Sequence, residues 1–367
     1  MNRVVIAIDS FKECLPSHEI EIAAMRGVLR AAPNAHVEII PISDGGEFFL
    51  DAWLSDGAPN RRISIRAVDA MMRPIISEIA LCHEGKTAVI ESAQTIGLQK
   101  IAPHERAICQ ASSFGLGMAI RHAVKLGAET LLIGLGGSAT CDGGLGLLEA
   151  LGAKIALDRF GFPISIDISH FIQDFRHIHV FALCDVDNPL IGSDGAARVF
   201  APQKGATPTQ VEWLEERHLH LLECSKRDAP VFLDSYERTG AAGGIAFALR
   251  AFLRAQTLSG IDAILEHLQF DRRLAGSDLV ITGEGKADTQ TRMGKAPIGI
   301  LRRAQKLGIP TALIAGICLT PHAFIAEGFS EACGIHPAQT DPNTYLDPDV
   351  TRRDVEQTVY EILLRHR

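Results

Sequence analysis

The feature that most constrains the fold is an apolar run that ends in a glycine-rich loop and leads into a second apolar segment. Residues 131–146 read LLIGLGGSATCDGGLG, and residues 147–151 continue at helical spacing. Leucine and isoleucine before the glycines indicate a buried strand, and the pattern after them indicates a helix. Glycines let a backbone approach an anion closely, and a helix N-terminus adds about half a positive charge. The stretch predicts a strand, a loop and a helix. The loop is either a phosphate cradle or a tight turn without a ligand.

The same order of strand, loop and helix recurs at the start of the chain. Residues 3–8 form an apolar run that ends in DSFK, and residues 37–40 form another that ends in SDGGE. Between them a helix is predicted from Ser17, with Pro33 beyond its end. The residues expected on its inner face are Ile20, Ala23, Ala24 and Leu29. This order predicts parallel strands joined by right-handed crossovers.

The middle of the chain has a different pattern, and the order of strand and helix returns after about residue 270. Strands without intervening helices, which favour antiparallel pairing, are expected at 61–66, 74–81 and 87–91. Further helices are expected at 113–126 and 208–224, with a strand at 180–183. Thr207, Pro208 and Gln210 form a helix-start signal with a capping box. After residue 270 we expect strands at 278–282 and 311–315 and helices at 295–307 and from about 351.

The length of 367 residues favours two domains rather than one core. We predict an α/β fold in which a Rossmann-like parallel-sheet domain, made of residues 1–60 together with 268–367, is interrupted by an inserted α/β domain at 61–267. A net charge of −8 argues against a nucleic-acid partner but leaves room for a small anionic substrate in a local positive pocket. Eight scattered cysteines without a CxxC pair, and no run long enough to span a membrane, predict a cytoplasmic protein.

Two stretches suggest phosphate chemistry by their local sequence. Residues 80–87, ALCHEGKT, fit the loosest P-loop pattern, but a β-branched run follows where a helix is needed, so we predict a hairpin turn. Asp185-Val186-Asp187-Asn188 follows an apolar run at 181–183. It fits an aspartyl-phosphate motif with Asp185 as nucleophile and magnesium beside it, a plain turn, or a loop whose carboxylates supply a base or metal ligand.

The remaining loops repeat the combination of acids, glycines and lysines at strand or helix ends. They are DSFK at 9–12, DGGE at 44–47, PQKGA at 202–206, GAAGG at 240–244 and TGEGKAD at 282–288. In open parallel sheets ligands bind outside the carboxyl ends of the strands, and phosphoryl transfer needs positioning, cations and one carboxylate. Together the loops predict a site for Mg²⁺, phosphates and a small acid. The alternatives are solvated surface lysines at Lys204 and Lys295, and a helix cap at Asp142.

As a set, these loops resemble the type I family of bacterial glycerate kinases, which are similar to enzymes of the glucarate and glyoxylate pathways. The matching stretches, in family order from residue 8 to residue 299, are IDSFKECL, PISDGGE, KTAVIE, IGLGGSATCDGG, CDVDNPLIG, APQKGATP, GAAGG, DLVITGEGKADTQT and GKAPIG. The resemblance implies magnesium- and ATP-dependent phosphorylation of glycerate, giving 2-phosphoglycerate. It also implies a Rossmann-like domain carrying an inserted α/β domain, with the active site in the cleft between them.

The resemblance and the chemistry together suggest roles for individual residues. The catalytic group is Asp185, Asp187 and Lys204, with either aspartate accepting the proton of the attacking hydroxyl. Substrate binding is expected from Asp9, Ser10, Lys12, Asp44, Gly45, Gly46, Glu47 and Asn188. Nucleotide binding is expected from Gly136, Gly137, Ser138, Thr140, Gly283, Glu284, Gly285 and Lys295. The expected metal ligands are Glu284 and Asp288.

The chain departs from the family pattern at a few positions while keeping its charged groups. Ile8 replaces a proline, Phe48 and Phe49 replace two small residues, Cys141 replaces asparagine, and Lys286-Ala287 replaces an arginine-isoleucine pair. Alternative functions are a kinase for a related hydroxy acid, formation of the 3-phospho product, or a non-catalytic binding protein for small acids. The expected partners are glycerate and ATP, without nucleic acid or membrane, and the chain is expected to be a monomer or homodimer.

Overall fold

The computed structural model describes residues 1–11, 14–170, 175–228, 233, 235–289, 291–336, 340–341 and 346–366. The chain divides into two compact units. The terminal unit comprises residues 1–44, 51–56 and 260–367, and the central unit comprises residues 45–50 and 57–259. The chain returns from the central unit to the terminal unit after Ser259. The domain boundary predicted from sequence lies after His267. The predicted division itself stays a prediction.

Strands and helices alternate along much of the described chain. The strands are β1 (Arg3–Ile8), β2 (His36–Ile39), β3 (Arg61–Val68), β4 (Pro74–Cys82), β5 (Thr87–Glu91), β6 (Thr130–Gly134), β7 (Lys154–Leu157), β8 (Pro163–Asp167), β9 (His179–Leu183), β10 (Gln256–Leu258), β11 (Leu279–Ala287), β12 (Thr311–Cys318) and β13 (Glu331–Gly334). The helices are α1 (Ser17–Ala31), α2 (Phe49–Leu54), α3 (Ser92–Ile96), α4 (Phe114–Lys125), α5 (Leu145–Leu151), α6 (Ala196–Phe200), α7 (Pro208–Asp228), α8 (Ala241–Leu253), α9 (Gly260–His267), α10 (Phe270–Leu274), α11 (Ala296–Lys306), α12 (Pro321–Glu327) and α13 (Pro348–Arg365).

The sheet of the terminal unit is parallel, with the strand order β13-β12-β11-β1-β2. The chain runs from β1 outward to β2 on one side, and β11 to β13 fill the other side. The strand order therefore reverses between β1 and β11, where their carboxyl ends leave a crevice for a ligand. This observation confirms the predicted parallel sheet.

Helix α1 covers the terminal sheet together with α13. Gly27 lets the two helices approach closely, because a Cβ there would lie 2.4 Å from the carbonyl oxygen of Glu356. The inner face predicted for α1 is right for its first turns and wrong at Leu29, which is 36% exposed while Val28 is fully buried. Because an α-helix has 3.6 residues per turn, the buried face continues from Ala24 to Val28, four residues on, and Leu29 points toward solvent.

The central unit has a mixed sheet with the order β10-β9-β6-β5-β4-β3. Strands β3, β4 and β5 pair antiparallel, as predicted for the segment without helices, and β5, β6, β9 and β10 run parallel. A short 3-10 turn, His83–Gly85, joins β4 to β5, which confirms the hairpin and excludes the P-loop. A two-stranded sheet of β7 and β8 completes the unit.

The start of α7 confirms the predicted capping box. The Gln210 side-chain oxygen accepts from Thr207 N at 2.8 Å, and Thr207 Oγ1 accepts from Gln210 N at 3.4 Å. The reciprocal pair satisfies donors that a helix start leaves without an intrahelical partner. Within the described part of the chain, we find no helix with the length and apolar character needed to cross a bilayer.

Candidate active site

A cavity of about 260 Å³ opens in the terminal unit where β1 and β11 end. Asp9 N donates to the carbonyl oxygen of Gly283 at 3.0 Å, so the residue after β1 lies beside Gly283 within β11. Strand β11 continues to Ala287, so most of the stretch predicted from sequence as a loop at 282–288 is strand. Gly283 has no room for a side chain, since a Cβ would lie 2.2 Å from the Ile314 carbonyl oxygen. The cavity is lined by Asp9, Ser10, Phe11, Cys14, Asp44, Glu284, Gly285, Lys286, Lys295, Gly316, Ile317 and Leu346. Most residues that the sequence predicted for this unit therefore meet at one place.

Charges of both signs face this cavity. Glu284 is buried, and its Oε2 lies 3.9 Å from the Nζ of Lys295, the residue directly before α11. Asp9 is also buried, and its Oδ1 accepts from Ser10 N at 2.7 Å. A helix start and two lysines attract phosphate oxygens, while carboxylates suit a divalent cation.

The carboxylates of the cavity suit a magnesium ion that takes only one or two protein ligands. No cluster of three or more His, Cys, Asp or Glu side chains able to hold a metal occurs within the described ranges. Mg²⁺ commonly takes only one or two protein carboxylates and completes its shell with phosphates and water. Asp288 lies 3.5 Å from the Nζ of Lys286 and is not among the described cavity-lining residues, so its metal role stays a prediction. Lys12 lies outside the described residues.

A buried acid supports the strand that leads to the cavity. Glu21 on α1 is 1% exposed, and its Oε1 accepts from the backbone N–H of Ile8 at 3.5 Å. Strand β2 ends at Ile39, so Ile8 has no strand partner on that side and takes the carboxyl group instead. Burial raises the pKa of Glu21 to about 8, against a small opposing effect of the Ile8 hydrogen bond. Glu21 is therefore protonated at neutral pH.

In the central unit, the glycine-rich loop after β6 packs against the DGGE segment. Gly136 N donates to the Gly45 carbonyl oxygen at 3.0 Å, and a Cβ on Gly136 would lie 2.4 Å from the Cα of Gly46. A Cβ on Gly137, whose φ is +73°, would lie 2.6 Å from Oε1 of Glu47. The absence of side chains at these glycines therefore allows the two segments to approach closely, and the Glu47 carboxylate lies against the loop.

Asp142 organises the end of this loop. Its Oδ2 accepts from the backbone N and the Oγ of Ser113, both at 2.8 Å, and from Gly146 N at 3.1 Å. Its Oδ1 accepts from Gly144 N at 3.0 Å. Of the two roles left open by the sequence, capping the start of α5 is the one these contacts support.

Lys204 lies behind the same loop and is only 4% exposed. Its ammonium donates to Ser138 Oγ at 3.1 Å and to the Thr140 carbonyl oxygen at 2.7 Å. Burial lowers the pKa of Lys204 to about 8, against an opposing effect of the Asp142 carboxylate. The alternative of a solvated surface lysine is wrong for this residue.

The GAAGG segment and α7 both contact the backbone of the glycine-rich loop. A Cβ on Gly243, whose φ is +67°, would lie 2.2 Å from the Thr140 carbonyl oxygen, and Gly243 in turn accepts from Gly143 N at 3.0 Å. The Nε2 of His218 on α7 donates to the Cys141 carbonyl oxygen at 3.1 Å. Full burial lowers the pKa of His218 to about 4, so this histidine is neutral and acts as a structural donor.

The loop after β9 carries the predicted catalytic aspartates. Asp187 is 70% exposed at its side chain, and its Oδ1 accepts from Nε of Arg238 at 2.8 Å. Asp185 is half-buried, and Asn188 Nδ2 donates to the Asp194 carbonyl oxygen at 2.8 Å. The loop adjoins the glycine-rich loop, because Leu135 N donates to the Leu183 carbonyl oxygen.

The two aromatic residues that depart from the family pattern have different roles. Phe49 is fully buried, and a Cβ on Gly134 would lie 2.8 Å from its ring, so this side chain packs over the end of β6. Phe48 is half-buried with a φ of 64°, in the left-handed region that favours glycine. Phe49 is thus part of the core, whereas Phe48 is in an unfavourable backbone conformation next to Glu47.

Sequence reasoning missed several residues at these sites. Arg238 pairs with Asp187, and Lys286, Cys14 and Gly316 line the terminal cavity. Gly316 lies within β12, a strand that the sequence pattern ended too early. The contacts of Arg238 and Cys14 depend on pairings between distant segments, for which the local sequence holds no signal.

Comparison with known proteins matches the whole chain to one family. The model of the Glycerate kinase family matches residues 4–366. A glycerate kinase of Bacillus cereus is 36% identical over 371 residues, covering 98% of this chain and 97% of the relative. A glycerate 2-kinase of Escherichia coli is 36% identical over 325 residues, covering 86% of this chain and 85% of the relative. The crystal structure of a putative glycerate kinase 2 from Salmonella typhimurium LT2 superposes with a TM-score of 0.76 at 34% identity, covering 99% and 98% of the two chains.

Proposed function

The chain belongs to the glycerate kinase family, and from this membership we propose that it transfers the γ-phosphoryl group of ATP to the 2-hydroxyl of glycerate. The products are 2-phosphoglycerate and ADP. As a member of this family the chain is a kinase, which argues against a purely binding role. The 2-position is favoured by the relative named glycerate 2-kinase, which is 36% identical.

The observation that carries the nucleotide assignment is the cavity at the strand-order reversal of the terminal unit. It combines Lys286, Lys295 and the start of α11 with the buried carboxylate of Glu284. We assign Lys295, Gly283 and Gly285 to the phosphates, and Glu284 with Asp288 to magnesium. Magnesium, when bound, neutralises charge that develops on the phosphate oxygens. Asp9, Ser10 and Asp44 remain assigned to the substrate.

Further roles are proposed for residues of the central unit. The glycine-rich loop with Ser138 and Thr140 offers hydrogen-bond donors to anionic oxygens. Asp185 is preferred over Asp187 as the base, because Asp185 is half-buried whereas the Asp187 side chain is 70% exposed to solvent. In the transfer, the 2-hydroxyl oxygen bonds to the γ-phosphorus, the bond to the β-phosphate oxygen breaks, and the hydroxyl proton goes to the base.

The test incubates the full chain with ATP, Mg²⁺ and D-glycerate, follows ADP release, and passes the product to enolase. We expect ADP release and an enolase response, because enolase accepts the 2-phospho product. ADP release without an enolase response would move the reaction to the 3-hydroxyl. Absence of ADP release with D-glycerate and with other small hydroxy acids would refute the kinase proposal.

A matched pair of variants tests the base. Asp185→Asn should lower kcat by about 10²- to 10⁴-fold, the usual contribution of a general base. Asp187→Asn removes a carboxylate from the same loop and should have a much smaller effect. The opposite ranking would assign the base to Asp187.

A further inference from the structure

The hydrogen bonds around Lys204 identify which group of the glycine-rich loop meets a ligand. Lys204 donates to the oxygen of Ser138, so the Ser138 hydroxyl proton must point to a different acceptor. Among the described residues no acceptor for this proton is found. Ser138 is itself buried, and a buried donor without an acceptor is unfavourable. The arrangement leaves one directed donor ready for an oxygen atom from outside the chain.

A second buried hydroxyl in the loop, that of Thr140, also lacks a hydrogen-bond acceptor among the described residues. Thr140 is fully buried, and its Oγ1 has no hydrogen-bond partner within the described ranges. The backbone N–H group of Ser138 likewise donates to no described acceptor. Several donors without acceptors within four residues indicate a site for an anion.

The positive charge of the buried Lys204 ammonium also favours an anion at this loop. No carboxylate of the described residues lies within 4 Å of the Lys204 ammonium, and the nearby Asp142 already accepts four hydrogen bonds. Cys141, the other ionisable neighbour, has its pKa raised to about 12 by burial and is neutral. A buried ammonium that contacts no carboxylate is stabilised when an anion binds nearby. Glu47 lies against Gly137, so an anion meets the loop at Ser138 rather than at Gly137.

We propose that the hydroxyl of Ser138 contacts an anionic oxygen of a bound ligand and that Lys204 acts through Ser138, as a positioning residue that never touches the ligand. The ligand group is a carboxylate or a phosphate, and it is supplied either by glycerate or by the nucleotide. This inference rests on the proposed kinase function for its ligands. It changes the role of Lys204 from direct contact to orientation and polarisation of the serine.

A double-mutant cycle with Ser138→Ala, Lys204→Met and the double variant tests this proposal. Titrations of D-glycerate and of ADP with Mg²⁺ are run separately, so the ligand that loses affinity shows which source supplies the anion. Each single variant should weaken that ligand by about 10- to 100-fold, the value of one hydrogen bond to a charged group. The double variant should be within about twofold of Ser138→Ala, because Lys204 then has nothing to act through. A double effect equal to the product of the single effects would show direct contact by Lys204 and overturn the proposal.

The pH dependence adds a readout that loop distortion would not change. Affinity of the parent protein for the identified ligand should fall as pH rises through about 8, where Lys204 loses its proton. Ser138→Ala should show no such fall, and retention of the full pH dependence in this variant would contradict the proposal. Circular dichroism confirms that each variant is folded. A parent that binds ligand without turnover would refute the kinase function alone, whereas binding of neither ligand would overturn this inference as well.

Discussion

Replacing Glu21 with glutamine should stabilise the terminal unit in a pH-dependent way. Glutamine has nearly the same shape and keeps an oxygen for the Ile8 N–H, but it needs no proton to be neutral. Burial raises the pKa of Glu21 from 4.5 to about 8 in the folded chain. The folded state therefore retains a proton that the unfolded state releases at neutral pH.

The sign and size of the effect follow from this difference. A raised pKa leaves stability complete below pH 4.5, and stability is lost as the pH rises toward about 8. From the unfolded value to pH 7 the interval is about 2.5 units, which corresponds to about 3 kcal/mol at 1.36 kcal/mol per unit. The difference in the free energy of unfolding between Glu21→Gln and the parent should therefore be a constant offset near pH 4.5. At pH 7 this difference should be larger by about 3 kcal/mol in favour of Glu21→Gln.

The sequence provides a direct reporter for this measurement. The chain has two tryptophans, and Trp53 lies in the terminal unit while Trp213 lies in the central unit. In a Trp213→Phe background, urea unfolding followed by fluorescence reports the terminal unit alone. Glu266→Gln removes an exposed carboxylate from the same unit and is the matched control. An advantage of Glu21→Gln that stays constant from pH 5 to pH 8, or that the control reproduces, would refute the argument.

Three further predictions concern the central unit. Gly243→Ala should destabilise the chain by about 1–3 kcal/mol more than the control Gly192→Ala in thermal melts. Both glycines have a positive φ, but only at Gly243 would the new Cβ lie 2.2 Å from a carbonyl oxygen. Equal losses of stability in the two variants would contradict the close contact. Thr207→Ala should cost about 1 kcal/mol in urea unfolding followed by Trp213 fluorescence, and no change would contradict the capping box. His218, whose pKa is lowered to about 4 by burial, should make stability fall as the pH drops from 6.5 toward 4. His218→Gln should reduce that slope, and an unchanged slope would show that other groups cause it.

Features that depend on neighbouring residues were predictable from sequence. Strand β1 was predicted at its observed bounds, and the capping box at Thr207 and the hairpin between β4 and β5 were also correct. Each of these follows from residue types within a few positions, where periodicity and turn chemistry act. The family was also recognisable, because its motifs are local loops that retain their order.

Features that depend on distant contacts were not predictable in the same way. The sequence PQKGA does not reveal that Lys204 is buried behind Ser138, because the distance in sequence between these residues is 66. The pairing of Arg238 with Asp187 and the contact of Glu21 with Ile8 arise for the same reason. Burial of a charged group is decided by the surrounding fold, and its own local sequence carries no mark of it.

The position of β1 between β2 and β11 has a consequence for how the chain is made. During synthesis, β1 and β2 leave the ribosome before β11, and the edge of β1 that pairs with Leu279–Gly283 stays open until that segment emerges. Residues 57–259 form a nearly continuous unit that can close in the meantime. An open strand edge pairs readily with other chains. A chain whose synthesis stops before residue 279 would therefore keep β1 with an unpaired edge that is prone to aggregation, even if the central unit had folded.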